Sequence, residues 1–194
     1  MSYLIKTSVT TDEPITLAQA QLHLRLDTEG SPASHPDDSL IEMMITTARE
    51  MVEKDTGLTL PVSQLQCKSK PVNDIVSLQT YPVTSIEEVT YEDDDEVIQT
   101  VSSADYYVDN FKRPSVLIFR RNVPVKDVTV SFTAGYTDND SPNPFPMPKM
   151  LKNAMLLMIG NLYENRQAVG DYESYKKDMS YEYAVQKERI SLGL

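Results

Sequence analysis

Two histidines, one cysteine and a run of five acids are the residues whose types could do chemistry. A histidine or cysteine acting as base, nucleophile or metal ligand needs a partner at set spacing. His23 stands beside the apolar stripe of a short helical pattern and His35 stands in a loop. Neither has a cysteine or acid at ligand spacing, so both read as structural or solvent-facing. Cys67 falls in a strand-like run with no local base, which suits a small buried side chain better than a nucleophile. The acids Glu92, Asp93, Asp94, Asp95 and Glu96 could offer oxygens to a hard cation, but they lack the glycine and spacing of a calcium loop. A solvated hairpin tip is the plainer reading. No glycine-rich phosphate loop, nucleophile elbow or paired-cysteine zinc pattern occurs. No metal, no cofactor and no enzymatic activity are expected.

The distribution of charge says more. Between Lys70 and Lys112 there is no lysine or arginine, while acids stand at Asp74, Glu87, Glu88, Glu92 to Glu96, Asp105 and Asp109. Positive residues gather at Lys112, Arg113, Arg120, Arg121 and Lys126, then at Lys149 and Lys152. A chain with separate acidic and basic patches suits head-to-tail contact between identical copies. Ordinary surface charge is the competing reading. Tyr172, Tyr175 and Tyr183 recur at helical spacing near the C-terminus, and tyrosine serves both interfaces and docked terminal helices.

The totals narrow the classes. The net charge is −11. That argues against tight binding to a phosphate backbone, which needs clustered lysine and arginine. It leaves room for a wall past which DNA slides without sticking. A single cysteine excludes an internal disulfide framework, and an intracellular protein is the plain expectation. The N-terminal stretch lacks the continuous apolar run of a signal peptide.

The elements that must position these residues follow from periodicity. Residues 146–168 form the organising segment, with Met147, Met150, Leu151, Ala154, Met155, Met158 and Leu162 at helical spacing. Leu156, Leu157 and Ile159 fill the opposite side, which predicts a central helix buried nearly all round. Pro146 and Pro148 suit its first turn. Lys149, Lys152, Asn153 and Asn161 make it too polar for a membrane span. Upstream, Thr16 and Gln19 fit a capping box opening a helix over roughly 17–26. A second helix is capped by Asp37, Asp38 or Ser39 and stopped by Gly57, with Ile41, Met44, Ile45, Ala48 and Val52 on one stripe. Between residues 61 and 136, prolines separate short β-branched runs at 62–68, 75–78, 86–91, 97–101, 106–108, 116–119 and 128–133. These read as antiparallel strands of a sheet or small sandwich. A C-terminal helix is expected over roughly 172–189, within a tail of 171–194. The fold class is α+β: a helical core with an inserted antiparallel β region. The whole, 1–194, is read as one domain, with N-terminal helices in 1–60.

Several local strings then carry a resemblance. Glu13, Pro14, Thr16, Leu17 and Ala18 precede His23-Leu24-Arg25. Asp38, Leu40 and Ile41 lead through Ala48-Arg49-Glu50 to Thr56-Gly57. Tyr81-Pro82-Val83 is followed by Ser85-Ile86 and by Val89-Thr90-Tyr91. Asp105-Tyr106-Tyr107-Val108-Asp109 comes next. Thr133-Ala134-Gly135-Tyr136 leads through Pro146 and Pro148 to Leu162-Tyr163-Glu164-Asn165-Arg166. In this order they resemble the head–tail connector family of tailed bacteriophages, also called head-completion or adaptor proteins. The resemblance covers about residues 13–166 and leaves the C-terminal segment unmatched.

The resemblance implies a structural virion protein of helical core and β insertion. It implies a homo-oligomeric ring of about twelve copies under the portal protein. Such a ring extends the DNA channel at the capsid vertex and presents a platform to the next neck or tail protein. DNA would pass without specific binding, no membrane is involved, and synthesis would be in the bacterial host cytoplasm. Within that frame, Glu92, Asp93, Asp94, Asp95 and Glu96 are candidates for lining the channel. Tyr172, Tyr175 and Tyr183 are candidates for portal contact. Arg120, Arg121, Lys126, Tyr163 and Arg166 are candidates for the subunit interface. The competing expectations are a stopper or tail terminator and, more remotely, an unrelated enzyme with a carboxylate site at Glu87, Glu88 or Asp93, or an acidic DNA-mimic inhibitor.

Overall fold

The computed structural model describes residues 3–9, 12–27, 34–93, 95–120, 127–137, 145–166 and 179–190. In chain order the elements are β1 (Tyr3–Val9), α1 (Leu17–Leu24), α2 (Asp38–Thr56), β2 (Ser63–Ser69), β3 (Ile75–Ser77), β4 (Val83–Glu92) and β5 (Ile98–Thr100). Then come β6 (Tyr106–Asp109), β7 (Val116–Phe119), β8 (Val128–Ala134), α3 (Lys149–Glu164) and α4 (Met179–Gln186). The class is α+β with antiparallel sheets, as the periodicity predicts. Two compact units result. One comprises Asp12–Thr56 and Met147–Arg189 and holds the helices. The other comprises Met1–Thr11, Gly57–Pro146 and Ile190–Leu194 and holds the strands.

In the helical unit, α1 opens with the expected capping box. The Gln19 amide donates to Thr16 Oγ1 at 3.2 Å, and the Thr16 amide donates to Gln19 Oε1 at 3.1 Å. Two otherwise orphaned donors are thereby satisfied. The helix ends at Leu24, with Arg25 turning left-handed at φ 56°. Asp38 is already helical, so Ser39 is not the cap of α2. Ile41, Met44, Ile45, Ala48 and Val52 of α2 are buried, as are Leu151, Ala154, Met155, Met158 and Ile159 of α3. Helix α3 contacts α1, α2 and α4. It begins at Lys149, with Pro148 as N-cap, so both prolines precede the helix and do not form its first turn. Nor is it buried all round. Met150, Leu156 and Leu157 are half-buried, and Asn153 and Asn161 are exposed. Those amides keep that side of the helix in water, because burying them unpaired would cost free energy.

In the β unit, the five-stranded sheet has the order β1-β2-β8-β4-β5 and a three-stranded sheet has the order β3-β7-β6. All pairs are antiparallel. Strand β8 pairs on both edges, and its buried residues alternate from Val128 through Val130 and Phe132 to Ala134. Leu65, Cys67, Val76, Leu78, Val89, Leu117 and Phe119 join them in one core drawn from both sheets. Strand β1 is an addition to the sequence reading. Its run from Tyr3 to Val9 pairs with β2 as an edge strand. Gly135 follows β8 at φ +133°, and a Cβ there would collide with the Pro61 carbonyl and sit 2.7 Å from Val62 Cα. Only glycine meets both demands, which explains this residue physically.

Candidate assembly surfaces

The acidic hairpin is built by one of its own acids. Asp93 Oδ1 accepts from the Val97 amide at 2.9 Å and the Asp95 amide at 3.0 Å, while Oδ2 accepts from Gln99 Nε2 at 3.0 Å. The Gln99 bond first, then those from Val97 and Asp95, hold the Asp93 carboxyl below the ordinary aspartate range. Asp93 thus fixes the turn, and Glu92, Asp95 and Glu96 point their charges into water. Asp94 lies outside the described residues. Val97 and Ile98 are exposed beside these acids, the latter at 73 %. Among the described residues, no group of three or more histidine, cysteine or acidic side chains is placed to hold a metal ion.

Two arginines of the β unit lie on aromatic rings. Arg120 is exposed, with its guanidinium carbon 5.5 Å from the Tyr107 ring centroid. Arg113 lies 4.5 Å over Tyr81, which packs edge-on against Tyr136 and Phe145. For Arg120 the contact leaves the exposed charge hydrated on its outer side. Arg121 and Lys126 lie outside the described residues.

The 110–115 loop is pinned at its base by Asn110. Its Nδ2 donates to the Val83 carbonyl at 2.8 Å, and its Oδ1 accepts from Ser115 Oγ at 2.6 Å. The Phe111 amide donates to Asp109 Oδ1 at 2.9 Å. The loop holds Phe111 fully in solvent, next to exposed Lys112. Sequence reasoning passed over Phe111, although a lone aromatic between Asn110 and two cations was a visible signal.

Tyr163 and Arg166 meet within the helical unit. Tyr163 Oη donates to Asp37 Oδ2 at 2.8 Å, and Arg166 Nη2 reaches the same oxygen at 2.6 Å. The guanidinium also stacks 4.2 Å from the Tyr163 ring centroid. The bonds from Tyr163 and then Arg166 hold the Asp37 carboxyl below its ordinary range, and Asp37 in turn raises the Tyr163 phenol. This cluster fastens the end of α3 to the start of α2.

A second tie passed over by the sequence reading is Arg49, buried on the apolar stripe of α2. Its Nε donates to Glu13 Oε2 and its Nη1 to Glu53 Oε2, both at 2.9 Å. Burial opposes the charge, but Glu13 and then Glu53 outweigh it and raise the guanidinium above its ordinary range.

On α4 the buried face is Tyr181, Ala184 and Val185. Tyr181 Oη donates to Asp55 Oδ2 at 2.9 Å, and Arg189 Nε donates to the Asp55 carbonyl at 2.8 Å. Burial, then the bond to Asp55, pushes the Tyr181 phenol well up. Tyr183 stands on the outward face, 58 % exposed, with Lys187 Nζ 4.6 Å over its ring. Met179 is exposed as well. Tyr172 and Tyr175 lie outside the described residues. Among the described residues, no helix is long and apolar enough to cross a membrane.

No family model and no curated protein matches the chain. Solved structures share its fold. A chain from the neck of an empty gene transfer agent particle, computed with C6 symmetry, superposes with a TM-score of 0.75 at 18 % identity, covering 99 % of this chain and 97 % of that one. A chain from the virion of the native particle gives 0.74 at 18 % identity, covering 98 % and 97 %. A chain from the native neck, computed with C12 symmetry, gives 0.71 at 17 % identity, covering 99 % and 97 %. The likeness runs through both units and establishes the fold.

Proposed function

We propose that this chain is a structural virion protein of a phage-type neck, a head–tail adaptor without catalytic function. It assembles as a homo-oligomeric ring beneath the portal, extends the DNA channel and joins the capsid to the tail. The observation that carries this reading is the end-to-end fold likeness to chains of particle necks and virions. The ordered connector-like strings from Glu13 to Arg166 support it independently. The net charge of −11 and the exposed acid Asp95 suit a wall that repels DNA phosphates, since tight phosphate binding needs lysine and arginine. Exposed Tyr183 suits a contact with the portal, as a large stiff side chain with a polar tip.

Molar mass by light scattering after size exclusion tests the reading, for the protein alone and with its cognate portal. A mass of many subunits, or co-elution with the portal in a large complex, is expected. A lone monomer that ignores the portal would overturn the adaptor role. Tight capture of a DNA-binding enzyme by that monomer would assign it to the inhibitor class.

A further inference from the structure

Two exposed apolar features of the β unit are matched in chemistry and set far apart. The first is the tip of the 110–115 loop. Phe111 is entirely solvated there, on a loop whose base is fixed by Asn110, with Lys112 exposed beside it. A large aromatic on a loop whose backbone is fixed at its base pays little backbone ordering entropy on docking, and aromatics make interface anchors. The second is the β4–β5 hairpin. Val97 and Ile98 are exposed there and flanked by exposed Glu92, Asp95 and Glu96. One feature is aromatic and basic, the other aliphatic and acidic.

Their placement decides how they can meet. Asn110 bonds to Val83, the first residue of β4, and the hairpin turn follows Glu92, its last. At about 3.3 Å per residue the two ends of β4 lie about 30 Å apart. The two features therefore cannot touch within one copy. Unlike patches at opposite ends of one unit make a heterologous contact, which repeats from copy to copy and closes a ring when the rotation allows.

We propose that Phe111 of one copy seats against Val97 and Ile98 of the next, with Lys112 facing Glu92 and Glu96. This inference rests on the ring reading and names its contact. The occupant is a second copy, because both halves of the match stand on this chain.

The test uses the full chain with cysteines at the two tips. Cys67 is buried in the β core and stays out of the reaction. Phe111→Cys and Ile98→Cys variants, mixed and mildly oxidised, are expected to give mixed dimers. A chain carrying both cysteines is expected to give a ladder of multimers. Phe111→Ala is expected to raise the concentration needed for half-assembly about 30-fold, the scale of a hot-spot aromatic. Lys112→Glu is expected to weaken assembly, and Glu96→Lys in the same chain to restore part of it.

A parent chain that assembles while the doubly substituted chain gives no ladder would overturn this contact and leave the ring standing. Phe111→Cys dimers formed without the Ile98→Cys partner would overturn it too, by showing a symmetric contact. A parent chain that never assembles, alone or with its portal, would remove the ring reading and this contact with it. Both tips are exposed, so circular dichroism of each variant is expected to match the parent.

Discussion

The helical and β units use their charged residues in opposite ways. In the helical unit, Arg49 and Arg166 grip carboxylates far away in sequence, and Tyr163 and Tyr181 donate to Asp37 and Asp55. These bonds close the unit upon itself. In the β unit, Arg113 and Arg120 lie over tyrosine rings, and Glu92, Asp95 and Glu96 face water. The β unit holds its shape with an apolar two-sheet core and with Asn110, which bonds to backbone and to Ser115. The difference teaches where an assembly surface can come from. Charges already committed inside a unit hold it together, whereas charges displayed beside exposed apolar groups remain available to a partner.

The largest break expected in this contrast is Arg49→Ala. Removing the guanidinium takes from Glu13 and Glu53 the cation they share, at a cost of about 3–5 kcal/mol. Urea unfolding followed by circular dichroism would measure it. Replacing Arg49 by Met together with Glu13→Gln and Glu53→Gln sharpens the point. Most of the stability should return, since apolar packing often matches a buried ion network. An equal loss in the triple variant would mean that the network does more than cancel its own desolvation.

The matching break in the β unit is steric. Gly135→Ala forces a side chain against Pro61 and Val62 at a positive φ, an overpacking cost of about 3 kcal/mol. Thermal unfolding should show it as a clear drop in Tm. A neutral result would mean that the 61–62 segment moves freely.

Helix α4 offers a smaller comparison within one element. Tyr181→Phe removes a bond to the Asp55 carboxylate and should cost about 1.5–3 kcal/mol. Tyr183→Phe changes an exposed ring and should stay within about 0.5 kcal/mol. Equal effects would erase the distinction between the buried and outward faces.

The smallest effect is one of pH. Asp37 titrates below its ordinary range when folded, so its contribution is present above that range, near pH 4, and is lost as pH falls through the lowered value. Asp37→Asn should flatten that part of the acid-unfolding profile. An unchanged profile would mean that the Tyr163 and Arg166 bonds do not couple to folding.

These contrasts also show what the sequence could and could not reveal. The seven strand runs after residue 61 were legible because β-branched residues alternate between prolines and acids. The Thr16–Gln19 box and the Gly57 stop were legible because caps depend on local chemistry. Strand β1 was harder, because an edge strand buries little and its run from Tyr3 to Val9 alternates weakly. Arg49 was hidden by its own type, since a charged residue on an apolar stripe looks exposed until its partners, one at Glu13, are folded onto it. The Tyr183 spacing left open whether that side chain packs on its own chain or meets a partner; it faces outward on α4, while Tyr181, two residues earlier, does the anchoring. As for the surfaces, the Glu92–Glu96 hairpin was visible as a charge run. The rigid display of Phe111 was not, because Asn110 reaches across to Val83.

The most direct measurement is amide hydrogen exchange on the chain before and after it assembles with itself. The account predicts that protection is gained at the β4–β5 hairpin, residues 92–100, and around the 110–115 loop, with α2 and α3 unchanged. Protection gained along the helices, with both β tips still exchanging freely, would contradict it.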